Sequence, residues 1–155
     1  MSYFKDLTLY SYSRAEKSPV EVLNIGWLGK SESFVTGETS REFQEKLHSF
    51  CLDENVVLIM RGFHACEFCG LSWEEWNKKH ANYGNNSGLM SGGNGEIRVI
   101  GKDVIYAAPA LIYHYVIEHQ YSPPPEFIEA ISTGPQPGSG EHRTLLETYR
   151  RKGKL

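Results

Sequence analysis

Two cysteines and a histidine lie close together in the stretch RGFHACEFCG, which covers residues 61–70. Cys66 and Cys69 form a Cys-x-x-Cys pair, and this spacing lets two thiolates bind one ion from a tight turn. Later in the chain, the stretch HYVIEH carries His114 and His119 in a His-x4-His pair. Two thiolates and two imidazoles are a ligand set of tetrahedral zinc, so the four residues together predict a Zn2+ site.

The two halves of the predicted zinc site are far apart in the sequence. Residues 70–113 separate Cys69 from His114, whereas the ligand pairs of small zinc fingers are separated by about 12–15 residues. On an ideal helix of about 3.6 residues per turn, His114 and His119 point about 140° apart, so both reach one ion only if the last turn is loosened. Because the apolar face of this helix includes His119 and leaves His114 on its flank, His64 is the reserve ligand in case His114 faces away.

The cysteine pair is also compatible with chemistry other than structural zinc. A redox-active pair needs a thiol of low pKa, but Gly70 follows directly and the anionic Glu67 between the sulfurs favours protonated thiols. A catalytic zinc would keep one open position beside a base such as Glu67 or Glu118. The sequence contains neither the His-Glu-x-x-His motif of zinc proteases nor the paired motifs of zinc deaminases. Two cysteines without a metal, beside a strand, are the third alternative.

Composition and charge are typical of a single small globular domain. The chain has 155 residues, of which 40% are apolar and 23% charged, and one hydrophobic core suffices for this length. The formal charge of −3 and the pI near 6.1 argue against a protein built to bind nucleic-acid phosphates. The basic tail RRKGK is interpreted as a solvated charge run, with nucleic-acid binding as a third and weaker option.

The sequence carries no sign of export or membrane insertion. The N-terminal stretch MSYFKDLTLYSYS lacks the basic segment, apolar stretch and cleavage site of a secretory signal. The longest strongly apolar run, VVLIM, is far shorter than the roughly 18 residues of a membrane span. Three cysteines, an odd number, do not indicate a disulfide framework. A cytoplasmic protein is therefore expected.

Strands and helices that position the ligands are predicted from apolar patterns. Residues 19–29 predict a first strand, and NVVLIMR, residues 55–61, predicts a buried strand in the middle of a sheet that leads into the cysteine pair. EIRVI and VIYAA flank GKD, which predicts a β-hairpin. A helix over residues 40–51, with Thr39 and Glu42 as a capping box, buries a stripe that includes Cys51. Further helices are predicted over residues 71–81, 109–120 and 126–131.

These elements predict an α+β fold. We expect a single small domain over residues 1–132, with a mainly antiparallel or mixed sheet of about four strands, two or three helices packed on it, and a zinc knuckle. Residues 133–155 are expected to form a linker and a basic C-terminal tail, because STGPQPGSGE has the composition of a flexible linker. The stretch 84–95, rich in Gly, Asn and Ser, is expected to be a surface loop.

Four motifs, in the order NIGWLG, RGFHACEFC, GEIRV and YAAPALIYHYVIEHQYSPPPEFIEAI, resemble an uncharacterised family of small bacterial proteins. The resemblance covers about residues 22–131. It implies a bacterial, cytoplasmic protein and no established activity, so a function has to be argued from the residues.

Two classes of function fit the sequence. The favoured one is a non-catalytic, zinc-stabilised protein-interaction domain, such as a bacterial immunity protein or an adaptor, that binds a protein partner. Trp73, Trp76 and Tyr83 are candidate anchors for that partner, because aromatic residues dominate interface energetics. For the three residues themselves, packing over the sheet edge is the favoured role and anchoring the alternative. The other class is a zinc-dependent hydrolase or thiol redox enzyme that uses HACEFC, with the glycine-rich loop as a lid.

Overall fold

The sheet and helices of the chain form an α+β fold, as the sequence predicts. The computed structural model describes residues 3–10, 20–57, 66–79 and 95–151. Within these ranges the chain forms one three-stranded mixed sheet and five α-helices. The described sheet therefore has fewer strands than the four expected.

The central strand of the sheet is the last one in the sequence. β1 spans Glu21–Asn24, β2 spans Glu96–Ile100 and β3 spans Val104–Pro109. β3 pairs in parallel with β1, where Val22 lies opposite Ile105, and antiparallel with β2. The β2–β3 pair is the hairpin that the sequence predicts around GKD.

The predicted strand over residues 55–61 is described only as far as Val57. Val57 and Glu96 exchange backbone hydrogen bonds of 2.7 and 2.9 Å. At Val57 the chain therefore meets the sheet on the outer side of β2, so among the described strands β3, and not this segment, lies in the middle. The reason is that β3 bonds to both other strands and occupies the middle itself. Residues 58–61 lie outside the described residues.

Alternate residues of each strand face opposite sides of the sheet, and both sides are covered by other parts of the chain. On one side, β2 and β3 contribute to the main core beneath the helices: Ile97, Val99, Tyr106 and Ala108. On the other side, a smaller apolar cluster joins Tyr10 of the N-terminal segment to residues in and just after β1 and in β3: Val22, Trp27, Ile105 and Ala107. All five residues of β2 are buried as a result.

A buried ion pair lies on the second side of the sheet. Arg98 Nη1 donates to Glu96 Oε1 over 2.9 Å, and the Tyr10 hydroxyl donates to the same oxygen over 2.7 Å. Tyr10 also donates its backbone N–H to the carbonyl of Val22 in β1. Because a buried charge without its partner is costly, these bonds hold the N-terminal segment over the sheet.

Four of the five helices follow the apolar patterns of the sequence, with shifts at their ends, and the fifth lies in the predicted linker and tail. They are α1 Arg41–Phe50, α2 Trp73–Lys79, α3 Ile112–His119, α4 Pro125–Thr133 and α5 Gly140–Arg151. The stripe predicted for α1 is buried, and Cys51 directly after it is fully buried. The N-cap of α1 is Ser40, whose Oγ accepts from the Phe43 N–H over 3.1 Å, and the predicted cap Thr39 is wrong.

The helix predicted over residues 109–120 begins at Ile112 and not at Pro109. Pro109 is the last residue of β3, where it lies opposite Glu96, and a strand end tolerates the missing N–H of proline. The Ala110 N–H then donates to the Gly95 carbonyl over 2.9 Å. A turn of two residues therefore connects β3 directly to α3.

The C-terminal part of the chain contains a helix within the predicted linker and tail. His142 of α5 is 8% exposed and packs on Phe50, with 5.7 Å between ring centroids. Its Nε2 lies 3.0 Å from the carbonyl oxygen of Arg98. These contacts place α5 against the main core and β2. The division between residues 1–132 and 133–155 stays a prediction.

Some predicted features lie outside the described residues. These are Tyr83, the stretch 84–95 except Gly95, and the tail from residue 152. Among the helices that the structure describes, none is long and apolar enough to cross a membrane.

We expect Ser40→Ala to lower the free energy of unfolding by about 1 kcal/mol, because the Phe43 N–H loses its acceptor. Urea unfolding followed by circular dichroism measures this change. Thr39→Ala is the control: Thr39 Oγ1 accepts from the Gln44 side chain, so the loss should be smaller. Equal losses for the two variants would contradict the assignment of Ser40 as the cap.

Candidate metal centre

The cysteine pair lies in a tight turn. The Cys69 N–H donates to the carbonyl of Cys66 over 3.3 Å, and the N–H groups of Phe68 and Cys69 donate to the Cys66 sulfur. Gly70 leaves the turn with a φ of +65°, in the left-handed region where glycine avoids the steric cost of a side chain. The backbone therefore directs donors at one sulfur and then reverses at a glycine.

α2 follows the turn and begins with the capping box that the sequence contains. The Glu75 N–H donates to Ser72 Oγ over 3.1 Å, and the Ser72 N–H donates to Glu75 Oε1 over 3.3 Å. Trp76 of α2 is 4% exposed, and its ring lies 4.6 Å from that of His114. Trp76 therefore supports the site from within the core, and its predicted role as an exposed anchor is wrong. The side chain of Trp73 lies outside the described residues.

The two histidines reach one point at the loosened end of α3. Gln120, directly after the helix, has a left-handed φ of +51°. Its N–H bonds to the carbonyl of Tyr115, one residue further back than in a regular α-helix. The loosened turn that the His-x4-His spacing requires is therefore present. The rings of His114 and His119 lie 5.1 Å apart between centroids.

Four ligand atoms from two distant segments converge. Cys66 Sγ lies 3.3 Å from His119 Nε2, and Cys69 Sγ lies 3.3 Å from His114 Nε2 and 3.4 Å from His119 Nε2. All four ligand atoms lie within 4.8 Å of one another. With Zn–S bonds of about 2.3 Å and Zn–N bonds of about 2.0 Å, the S to N edge of a zinc tetrahedron is about 3.5 Å. The observed distances therefore fit one metal ion between the four atoms.

Hydrogen bonds alone account less well for this arrangement. Cys69 Sγ contacts two imidazole nitrogens, and His119 Nε2 contacts two sulfurs. A thiol has one proton, and an imidazole nitrogen has either one proton or one lone pair. Discrete hydrogen bonds would therefore favour separate pairs, whereas a shared cation accounts for four groups that face a common point.

Aromatic rings cover the ligand cluster. Phe68, between the two cysteines, lies 5.5 Å from the ring of His119 and 5.9 Å from that of Tyr115. The ring of Phe34 also packs edge-on against the ring of Phe68, with 5.3 Å between centroids. The ligand spacing did not predict this role of Phe68, although an aromatic residue inside a Cys-x-x-Cys pair is a signal that could have identified it. These rings pack against His119 and Tyr115 beside the cluster, where Cys66 is buried and Cys69 is partly exposed.

Burial raises the pKa of the Cys66 thiol to about 12, and the N–H groups of Phe68 and Cys69 offset part of this rise. A redox-active cysteine needs a lowered pKa, so this environment opposes redox chemistry. A bound metal cation, in contrast, stabilises the thiolate form. Burial also raises the pKa of Cys51 to about 12, which agrees with its predicted role as a small core residue.

The structure brings together four of the five residues that the sequence proposes as metal ligands: Cys66, Cys69, His114 and His119. The reserve ligand, His64, lies outside the described residues. His114 is 3% exposed and His119 only partly buried, the reverse of the order that the apolar pattern indicates. The reason is that Trp76 of α2 covers His114, and a contact between two distant helices leaves no trace in the pattern of α3 alone.

The two carboxylates proposed as catalytic bases take no part in the ligand cluster. Glu67 Oε2 accepts a hydrogen bond from the backbone N–H of Lys30 over 3.1 Å, and Glu118 is exposed on α3. In the part of the chain that the structure describes, the cluster contains cysteine and histidine and no carboxylate.

Fold and site together define the class of this protein, a small α+β domain with a Cys2His2 cluster positioned to bind a metal ion. The chain belongs to DUF7919, a domain of unknown function, whose family model matches residues 2–132. This confirms the resemblance to an uncharacterised family. No curated protein and no solved structure matches the chain.

We expect Gly70→Ala to lower the free energy of unfolding by about 1–2 kcal/mol, because the φ of +65° is strained for a residue with a Cβ atom. A Cβ at this position would meet nothing within 4 Å, so the backbone alone causes the loss. Gly70→Asn should lose less, since asparagine tolerates this conformation. Denaturant unfolding of both variants measures the difference, and two equal losses would contradict this account of the turn.

Proposed function

We propose that Cys66, Cys69, His114 and His119 bind one Zn2+. The observation that supports this most strongly is the convergence of two sulfurs and two Nε2 atoms within 4.8 Å. Thiolate and imidazole ligands in a tetrahedral arrangement are typical of zinc, whereas Ca2+ and Mg2+ prefer oxygen ligands. The chemistry of the ligand set therefore selects the ion.

The proposed zinc has a structural role. A catalytic zinc keeps three protein ligands and one open position for water, whereas four protein ligands close a tetrahedral shell. The rings of Trp76 and Phe68 pack against the two histidines and support a site with four protein ligands, although Cys69 and His119 are only partly buried. In such a site the ion joins the turn at residues 66–70 to the end of α3, and neither hydrolase nor thiol redox chemistry has a free position.

Protein purified without added metal should contain about one zinc per chain, measured by inductively coupled plasma mass spectrometry. Cys66→Ala and His119→Ala should each lose most of this zinc, because a three-ligand site holds the ion less tightly. Cys51→Ala is the matched control, since Cys51 is a buried cysteine outside the cluster, and it should keep the zinc. A wild-type content near zero, or one unchanged by both ligand substitutions, would refute the proposal.

Metal removal and cobalt substitution separate the structural site from a catalytic one. Chelation should lower the melting temperature of the wild type and change that of Cys66→Ala much less, because the variant has little bound metal to lose. In the Co2+ derivative, a closed shell leaves the visible spectrum unchanged when azide is added. A spectrum that shifts with azide would show an open position and favour the zinc-dependent hydrolase.

We further propose that the domain is a non-catalytic protein-interaction module, such as an immunity protein or an adaptor of the bacterial cytoplasm. A mainly apolar groove of about 560 Å³ lies beside the connection between α3 and α4. Val35 at this groove is 69% exposed. The apolar wall also includes the proline run and one residue of α4: Pro123, Pro124, Pro125 and Ile128. Asp6 and Glu129 add negative charge, so an apolar segment with a basic residue would fit the groove.

Val35→Glu should abolish the binding of a partner at this groove, because it places a charge on the apolar wall. Affinity capture from the source cells, followed by mass spectrometry, compares the proteins that each variant retains. Leu9→Glu is the matched control: Leu9 is 66% exposed and lies outside the groove, so its partners should equal those of the wild type. A wild type that captures no specific partner, or a Val35→Glu variant that captures the same one, would contradict the interaction role.

A further inference from the structure

A second cavity lies between the β2–β3 turn and α4 and shares no residue with the proposed zinc site. Its volume is about 320 Å³. Three charged side chains line it, Lys102 from the turn and Glu126 and Glu129 from α4. Apolar surface comes from Ile100, Ala130 and Pro135. The cavity therefore combines charges of both signs with an apolar wall, in a volume suited to a small molecule.

Tyr106 of β3 lines the inner part of this cavity. It is 4% exposed, and its ring packs edge-on against Phe127 with 5.7 Å between centroids. Gly101 leaves room for the outer end of the ring, since a Cβ there would lie 2.8 Å from Tyr106 Cε2 and 3.5 Å from Cζ, which carries the hydroxyl. No residue that the structure describes forms a hydrogen bond with this hydroxyl. The side chain is buried except where it lines the cavity, and its hydroxyl oxygen is not an enclosed atom, so a ligand group in the cavity can reach it.

The two glutamates act on this hydroxyl. Burial raises the pKa of Tyr106, and the negative charges of Glu126 and Glu129 raise it further. The two carboxylates lie on one face of α4, because residues three positions apart are neighbours on a helix. Within the described ranges neither carboxylate forms an ion pair, and neither does Lys102. Both carboxylates are exposed, and exposed carboxylates are common on helices, but these two line the same cavity as the Tyr106 hydroxyl.

We infer that this cavity binds a small molecule with a primary ammonium group, which the carboxylates of Glu126 and Glu129 and the hydroxyl oxygen of Tyr106 receive. The ammonium group has three donors, which match these acceptors in number. The apolar wall receives the body of the molecule, and Lys102 is placed to pair with a carboxylate of the same ligand. A bare Ca2+ ion fits less well, because it needs about 6–8 oxygen ligands and a lysine stands beside the two carboxylates.

Benzylamine is the probe for this inference, since it carries an ammonium group on a small apolar body. Binding is followed by isothermal titration calorimetry and by the amide NMR shifts of Gly101 and Gly134, both of which line the cavity. We expect saturable binding and shifts at both glycines. Benzyl alcohol, which lacks the charge, should not bind saturably. Absence of saturable binding by benzylamine, or equal binding of the alcohol, would overturn the inference.

Substitutions at the cavity test the named acceptors. Glu126→Gln and Glu129→Gln should each weaken benzylamine binding about three- to tenfold, and Tyr106→Phe, which keeps the ring, about fivefold. Glu38→Gln removes the same charge from an exposed position outside the cavity and should leave the affinity unchanged. If the cavity variants bind as the wild type does, or if Glu38→Gln weakens binding equally, the site assignment is wrong.

L-phenylalanine distinguishes two sources of the ammonium group. An α-amino acid would gain from Lys102, so phenylalanine would bind more tightly than benzylamine, and Lys102→Gln would remove that gain. If phenylalanine binds no better than benzylamine and Lys102→Gln has no effect, the ligand is a plain amine. Both results require that benzylamine binds as described above. If benzylamine does not bind, neither an α-amino acid nor a plain amine is the ligand and the inference is wrong.

Discussion

Two sulfurs and two imidazole nitrogens meet at one point, although the segments that carry them are 45 to 53 residues apart along the chain. Closing a loop of this length costs conformational entropy. In the absence of a cation, contacts between neutral thiols and imidazoles offset little of this cost. Packing therefore has to support the junction as well. Trp76 against His114 and Phe68 against His119 supply that packing. The proposed metal bonds and the aromatic contacts thus stabilise the same junction, and neither set is independent of the other.

The position of α3, which carries both histidines, follows from the sheet. β3 bonds to both other strands, and the two residues between β3 and α3 leave the helix little freedom. Ile112, the first residue of α3, lies against Gly26 just after β1, so closely that a Cβ on this glycine would come within 2.9 Å of Ile112 Cδ1. Where the helix ends, Gly37 donates its N–H to the carbonyl of Gln120 over 2.9 Å. Both ends of the helix are therefore held by other parts of the chain, which gives His114 and His119 a fixed position.

Sequence patterns are sufficient where a structure depends on neighbouring residues. The β2–β3 hairpin follows from its turn and α1 from its apolar stripe. The Cys2His2 cluster is not local, but each of its two pairs has a recognisable spacing and the residue types suggest that the pairs meet. Long-range packing decides the rest. Pro109 suits a helix start as well as a strand end, and it ends β3 because it pairs with Glu96 of β2. Trp76 has the residue type of an exposed anchor, but its contact with His114 buries it. The polar stretch of α5 gives a weak apolar signal, and its docking depends on His142, whose partners lie far away in the sequence.

The connection between α3 and α4 joins the proposed zinc site to the surfaces proposed to bind ligands. It contains Pro123 and Pro124, and Pro125 begins α4. Because proline fixes φ and restricts the preceding residue, this connection has few conformations. Tyr121 anchors its start, because the residue is fully buried and its hydroxyl donates to Asp6 Oδ2 over 2.7 Å. A displacement of α3 would therefore move α4, and with it the wall of the groove and the two glutamates of the cavity near Tyr106. A zinc ion with four protein ligands has no open position for chemistry. The proposed ion would instead hold α3 in place, and through the connection it would hold the wall of the groove and the two glutamates of the cavity.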